Sequence, residues 1–133
     1  MTDATVEPHR QYRALVVEDD PAIRRLVEKL LTRLRIRIDT AADGQTAIQK
    51  LSSERYSVLV LDLMIPELNG FEIIDFIKRE NLLVPVAVVS AVSQQALTKL
   101  DLDVVKLVIS KPFDVDEFTK AILTLCAEGD GHT

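Results

Sequence analysis

The residues of this chain that can do chemistry stand where apolar runs end. "ALVV" is followed by Glu18, Asp19 and Asp20, "VLVL" by Asp62, "VAVV" by Ser90, and "VKLVI" by Ser110, Lys111 and Pro112. An unpaired charge beside a strand covered on both faces is costly and is normally excluded. Asp62 therefore needs partners. Two carboxylates about 4 Å apart repel by roughly 4 kcal/mol at an effective dielectric near 20. An acidic cluster at one edge of a domain would thus welcome a cation. A few hard oxygen ligands, with room for water and a phosphate, suit Mg²⁺ better than a transition metal. With the cation and Lys111 neutralising phosphoryl oxygens, Asp62 has the character of a nucleophile toward phosphorus.

The elements that must position these residues follow from periodicity. Short apolar runs at Ala14–Val17, Arg37–Ala41, Val58–Leu61, Val86–Val89 and Val105–Ile109 read as strands. Ile23, Leu26, Val27, Leu30, Leu31 and Leu34 recur at helical spacing, as do Val115, Phe118, Ala121, Ile122 and Leu125. Further helices are expected at Gln45–Ser53, Phe71–Glu80 and Gln94–Leu100. This βα alternation, repeated through the chain, implies a doubly wound parallel sheet with helices on both faces. Ligands of such sheets bind beyond the carboxyl ends of the strands, the place these residues occupy. Asp20, just before Pro21, also reads as a helix cap. Asn69 with Gly70 is placed to start the next helix, and Asp114 with Glu117 reads as a cap.

With 133 residues, 47% hydrophobic and 28% charged, the chain is expected to form one compact domain over 13–126. Polar tails are expected at 1–12 and 127–133. A net charge of −5 argues against nucleic acid or an anionic membrane as primary partner. One cysteine, Cys126, excludes an internal disulfide and reads as core filler. No apolar stretch reaches membrane-spanning length, so a cytoplasmic protein is expected. His9 and His132 fall in the tails, away from any expected site.

From about Arg13 to Leu125 the chain resembles the receiver domain of bacterial two-component response regulators. The resemblance rests on "LVVEDDPAIRRL", "VLVLDLMIPELNGFEII", "VPVAVVSA" and "ISKPFDVDEF". The spacings fit as well, with 43 residues from Asp19 to Asp62, 28 on to Ser90 and 21 on to Lys111. The resemblance implies a flavodoxin-like (βα)5 sheet in the order 2-1-3-4-5. It also implies that Asp62 accepts a phosphoryl group from the phosphohistidine of a sensor histidine kinase or phosphotransfer protein. Mg²⁺ would be held by Asp19, Asp62 and the backbone carbonyl of Met64, with Glu18 able to act through water. Ser90 and Lys111 would bind the phosphoryl group, and the Lys111–Pro112 bond would be cis. The resemblance places Met64 and Val92 beside the path of the water that removes the phosphate. The domain would be a signalling phosphoacceptor, catalysing only its own phosphorylation and dephosphorylation.

Departures from the family pattern sharpen the expectation. Val108 stands at the usual aromatic position three residues before the lysine, so rotation of a ring there is not available to this chain. Lys106 and Leu107 stand where acids are common in receivers that pair through their last helices. Only "CAEGDGHT" follows Leu125, so a single-domain regulator switching contacts with a downstream protein is expected. Arg24, Arg25, Lys29 and Arg33 are expected on the outer face of the first helix, where kinases of this family dock. A haloacid-dehalogenase-type phosphatase would need a second acid where Met64 stands. A flavodoxin-like nucleotide binder would need a phosphate loop where the three acids stand. The remaining alternative is a pseudo-receiver, a binding module of the same fold without phosphorylation.

Overall fold

The structure, a computed structural model, describes residues 11–64, 69–91 and 94–130. The strands are β1 (Arg13–Val17), β2 (Arg37–Ala41), β3 (Val58–Leu61), β4 (Val86–Ser90) and β5 (Val105–Ser110). They alternate with α1 (Pro21–Arg33), α2 (Gly44–Ser53), α3 (Gly70–Arg79), α4 (Gln94–Leu97) and α5 (Val115–Asp130). All strand pairs are parallel, in the order β2-β1-β3-β4-β5, as expected. Among the described residues no helix is long and apolar enough to cross a membrane.

Alternate residues of the central strands feed two cores. Leu15, Val17, Leu59, Leu61, Val86 and Val88 pack with Ala47 and Leu51 of α2 and with Ile73, Ile74 and Ile77 of α3. On the opposite face Ala14, Val16, Val58, Val60, Ala87 and Val89 pack with Val27, Leu30 and Leu31 of α1 and with Phe118, Ile122 and Cys126 of α5. Burial on both sides is why these strands are unbroken apolar runs rather than alternating ones.

Helix starts are set locally. Asp20 Oδ1 accepts from the N–H groups of Ala22 (2.9 Å) and Ile23 (3.3 Å), with Pro21 opening α1. Asn69 and Glu72 exchange side chain to backbone hydrogen bonds at the start of α3, a capping box. Asp114 Oδ1 accepts from Glu117 N–H (2.9 Å) before α5.

Two boundaries differ from expectation by more than one residue. Helix α5 continues through Asp130 instead of giving way to a tail at Ala127. Ala127 and Glu128 are good helix formers and extend a helix already anchored by Phe118 and Ile122. Helix α4 stops at Leu97 rather than Leu100. Lys99 and Leu100 donate to Ala96 and Leu97, a tighter i to i−3 pattern that turns Leu100 into the core.

Candidate functional site

Register brings the strand ends together. Val17 pairs with Leu61, and Asp62 N–H continues the ladder to Val17 O at 3.0 Å. Ser90 pairs with Ser110, and Lys111 N–H donates to Ser90 O at 3.1 Å. Glu18 N–H extends β1 toward Ala41 O at 3.1 Å. The residues that follow β1, β3 and β5, with the last of β4, thus share one edge of the sheet.

At that edge Glu18 and Ser90 are only 4% exposed and Asp62 7%. Lys111 Nζ lies between the two acids, 2.7 Å from Glu18 Oε1 and 3.1 Å from Asp62 Oδ2. Asp62 Oδ1 accepts from Ser90 Oγ (2.9 Å) and from Met64 N–H (3.0 Å). Glu18 Oε2 accepts from Asp20 N–H at 3.2 Å. These partners answer the burial cost of the charges. Burial pushes the Glu18 carboxyl above its ordinary value, against the pull of its bond to Lys111, and the neighbouring Asp62 charge adds to the rise. Burial alone would lower Lys111, but its bonds to Glu18 and Asp62 outweigh it and hold the ammonium above its ordinary value.

One oxygen from each of Glu18, Asp19 and Asp62 can be chosen so that all lie within 4.8 Å of one another. Asp19 is exposed, and among the described residues none donates to its carboxylate. Three carboxylates against one ammonium leave two net negative charges. Hard oxygen donors, excess negative charge and one uncommitted carboxylate fit a small divalent cation.

The other expected residues are placed as follows. The Met64 backbone adjoins Asp62 through its N–H, while its side chain is 67% exposed. The Lys111–Pro112 bond is cis. Val92 lies outside the described residues. Arg25, Lys29 and Arg33 are exposed on α1, but Arg24 is not on the outer face with them. It is half-buried, and its Nη1 donates back to Glu18 O (2.8 Å) and, more weakly, to Asp19 O (3.4 Å). A helical wheel places the Cβ of a residue, not the far end of a long side chain, and so misassigns it.

Gly70 was also missed as part of the site. A Cβ there would meet Leu63 Cα at 2.6 Å, Leu63 Cδ2 at 2.9 Å and the Asp62 carbonyl oxygen at 3.1 Å. Its N–H donates to Leu63 O at 3.0 Å, so α3 closes directly on the loop that carries Asp62. The signal available in the sequence was a glycine directly after a capping asparagine, where a tight approach is common.

The sequence matches the response regulator receiver domain family over residues 14–123. It is 32% identical over 118 residues to the transcriptional regulatory protein TcrA of Mycobacterium tuberculosis, covering 88% of this chain and 47% of that protein. It is 34% identical over 110 residues to the response regulator ArlR of Staphylococcus aureus, covering 81% of this chain and 49% of that protein. The chain therefore spans about half the length of the curated relatives it matches. Among solved structures, the receiver domain of the Francisella response regulator 1452 superposes with a TM-score of 0.82 at 25% identity, over 89% of this chain and 98% of that one. The response regulator TrrA of Thermotoga maritima, solved in complex with Mg²⁺-BeF, superposes with a TM-score of 0.78 at 28% identity, over 86% of this chain and 99% of that one.

Proposed function

The chain belongs to the response regulator receiver domain family, and from that membership we propose that it accepts a phosphoryl group on Asp62 in a Mg²⁺-dependent reaction. The observation that carries this reading is the Asp62 carboxylate itself, buried at the end of β3 with Ser90 and Lys111 on its oxygens and two further acids beside it. A solvated loop acid would have neither the burial nor the cation.

Asp19 and Asp62 would hold the cation with the Met64 backbone carbonyl, and Glu18 would act through water. When bound, Mg²⁺ supplies positive charge to phosphoryl oxygens and to the entering carboxylate. An Asp62 oxygen attacks phosphorus as the bond from phosphorus to the donor's histidine nitrogen breaks, its electron pair staying on the imidazole. Lys111 pairs with one phosphoryl oxygen, giving up part of its hold on Asp62. The Ser90 hydroxyl, already bonded to Asp62, is within reach of a second. Because Lys111 also bonds Glu18, drawing it toward a phosphoryl group couples the new charge to the β1 end. The domain is thus a signalling phosphoacceptor that catalyses only its own phosphorylation and dephosphorylation.

The partners are a sensor histidine kinase or phosphotransfer protein and a downstream protein, met in the cytoplasm. Exposed Arg25 and Lys29 on α1 form part of the donor's docking face. Charge reversal at both should slow transfer from a phosphohistidine donor and leave labelling by acetyl phosphate intact.

The test is incubation with Mg²⁺ and acetyl phosphate, read by intact mass. Wild type should gain one phosphoryl group, and folded Asp62→Asn none. No gain in wild type would leave a pseudo-receiver, and undiminished single labelling of Asp62→Asn would move the acceptor elsewhere.

A further inference from the structure

We propose that Arg24 is a positioning residue for the cation site, fixing the backbone on both sides of Asp19. The inference rests on the Mg²⁺ site proposed above. The Glu18 carbonyl belongs to the peptide unit before the Asp19 Cα, and the Asp19 carbonyl to the unit after it. Arg24 Nη1 donates to both, at 2.8 and 3.4 Å. Holding two successive peptide planes restrains φ and ψ of the residue between them, and with these the direction in which its Cβ leaves the chain.

The rest of the loop is already tied. Glu18 N–H is in the sheet, Asp20 N–H is on Glu18 Oε2, and Asp20 Oδ1 caps α1. The backbone N–H of Arg24 donates to Asp20 O at 2.9 Å, so one residue closes the turn from both its main chain and its side chain. Asp19 is the exception, with no donor on its carboxylate among the described residues. No such bond helps to fix its side chain, so the backbone's setting of the Cβ direction matters more there, and Arg24 restrains that backbone.

Three roles for Arg24 predict different signs. As a bare positive charge near the acids it would repel a cation, and its removal would tighten Mg²⁺ binding. As a merely structural residue it would lower metal-free stability and leave Mg²⁺ affinity alone. As a positioning residue its removal weakens Mg²⁺ binding even though a repelling charge is lost. Loss of groups that orient metal ligands typically costs 10–100-fold in affinity, and the lost repulsion works against this, so about tenfold is expected.

The experiment is calorimetric titration of Mg²⁺ into the unphosphorylated full chain, wild type and Arg24→Gln, with metal-free melting recorded for each. Asp19→Asn serves as the control for the site. Labelling by acetyl phosphate across a Mg²⁺ series gives a second readout. In Arg24→Gln the half-saturating Mg²⁺ should rise about tenfold while the rate at saturation stays near wild type. Arg24→Lys keeps the charge but replaces the planar fork with a shorter ammonium, so its Kd should fall between the two. That variant decides the question should Arg24→Gln not fold. A Kd equal to or below wild type in folded Arg24→Gln, or in Arg24→Lys if only it folds, overturns the inference while leaving the cation site standing. Wild type that binds Mg²⁺ no better than Asp19→Asn overturns the cation site and the inference with it.

Discussion

Replacing Lys111 by Met removes the cation held between two buried acids and keeps a side chain of similar length. Lys111 Nζ is 2.7 Å from Glu18 and 3.1 Å from Asp62. At an effective dielectric near 20 these separations correspond to attractions of about 6 and 5 kcal/mol. The acids, with oxygens no more than 4.8 Å apart, repel by at least roughly 3.5 kcal/mol on the same scale. In wild type the desolvation of all three groups offsets much of the attraction. In the variant the acids keep their desolvation cost and their repulsion without the partner. Removing one member of a buried pair costs about 3–5 kcal/mol. The Glu18 carboxyl, already pushed up by burial, relieves part of this by taking a proton more readily. The expected loss at neutral pH without Mg²⁺ is therefore about 3 kcal/mol, near the low end of that range. Mg²⁺ at ten times its Kd should stabilise wild type by about 1.4 kcal/mol. At that same concentration it should stabilise Lys111→Met by more, because the ammonium no longer repels the cation. Urea unfolding followed by circular dichroism, with and without Mg²⁺, measures both quantities. A variant within about 1 kcal/mol of wild type in the absence of metal, or equal Mg²⁺ increments in the two proteins, would refute the reasoning.

Gly70→Ala should lower stability by about 1–3 kcal/mol through overpacking and slow labelling of Asp62, reversing the usual gain from Ala in a helix, because its Cβ would lie 2.6 Å from Leu63 Cα; equal or higher stability in urea would contradict the close approach. Tyr56 donates to Asp39 Oδ2 at 2.7 Å and, ahead of Arg13, holds that carboxyl below its ordinary value. A carboxylate with a depressed pKa adds stability above its unfolded pKa of about 4 and loses it as pH falls through the lower folded value. Tyr56→Phe should thus cost about 1–2 kcal/mol at neutral pH, with the gap narrowing as pH falls below about 4; a constant gap across that range would exclude the linkage. Met64→Asn with Val92→Glu should shorten the life of the phosphoprotein after donor removal, because polar groups would replace apolar ones that cannot orient water. Loss no faster than wild type, with Mg²⁺ present, would free these positions of that role.

The sequence by itself determined the alternation of strands and helices, because its rules act over a few residues. Central strands covered on both faces had to be unbroken apolar runs, and Asp20, Asn69 and Asp114 cap helices through atoms two or three residues away. The strand-end acids, Ser90 and Lys111 were legible for the same reason, since each closes an apolar run. Strand order was not legible from periodicity and came from the family resemblance, because pairing depends on crossovers that no local pattern encodes. That Lys111 also pairs with Glu18 was decided only by the tertiary structure, where register carries its ammonium across 93 positions of sequence. The same is true of Gly70, whose constraint is the Leu63 backbone rather than its own torsions, and of Arg24, whose side chain returns to the loop before its helix. The end of α4 was settled by packing of Leu100 into the core, which local propensity does not weigh, whereas α5 runs on because Ala127 and Glu128 continue a helix anchored by Phe118 and Ile122. Sequence patterns report which face a Cβ takes, whereas the reach of long side chains and the closeness of backbones are set when separate elements pack.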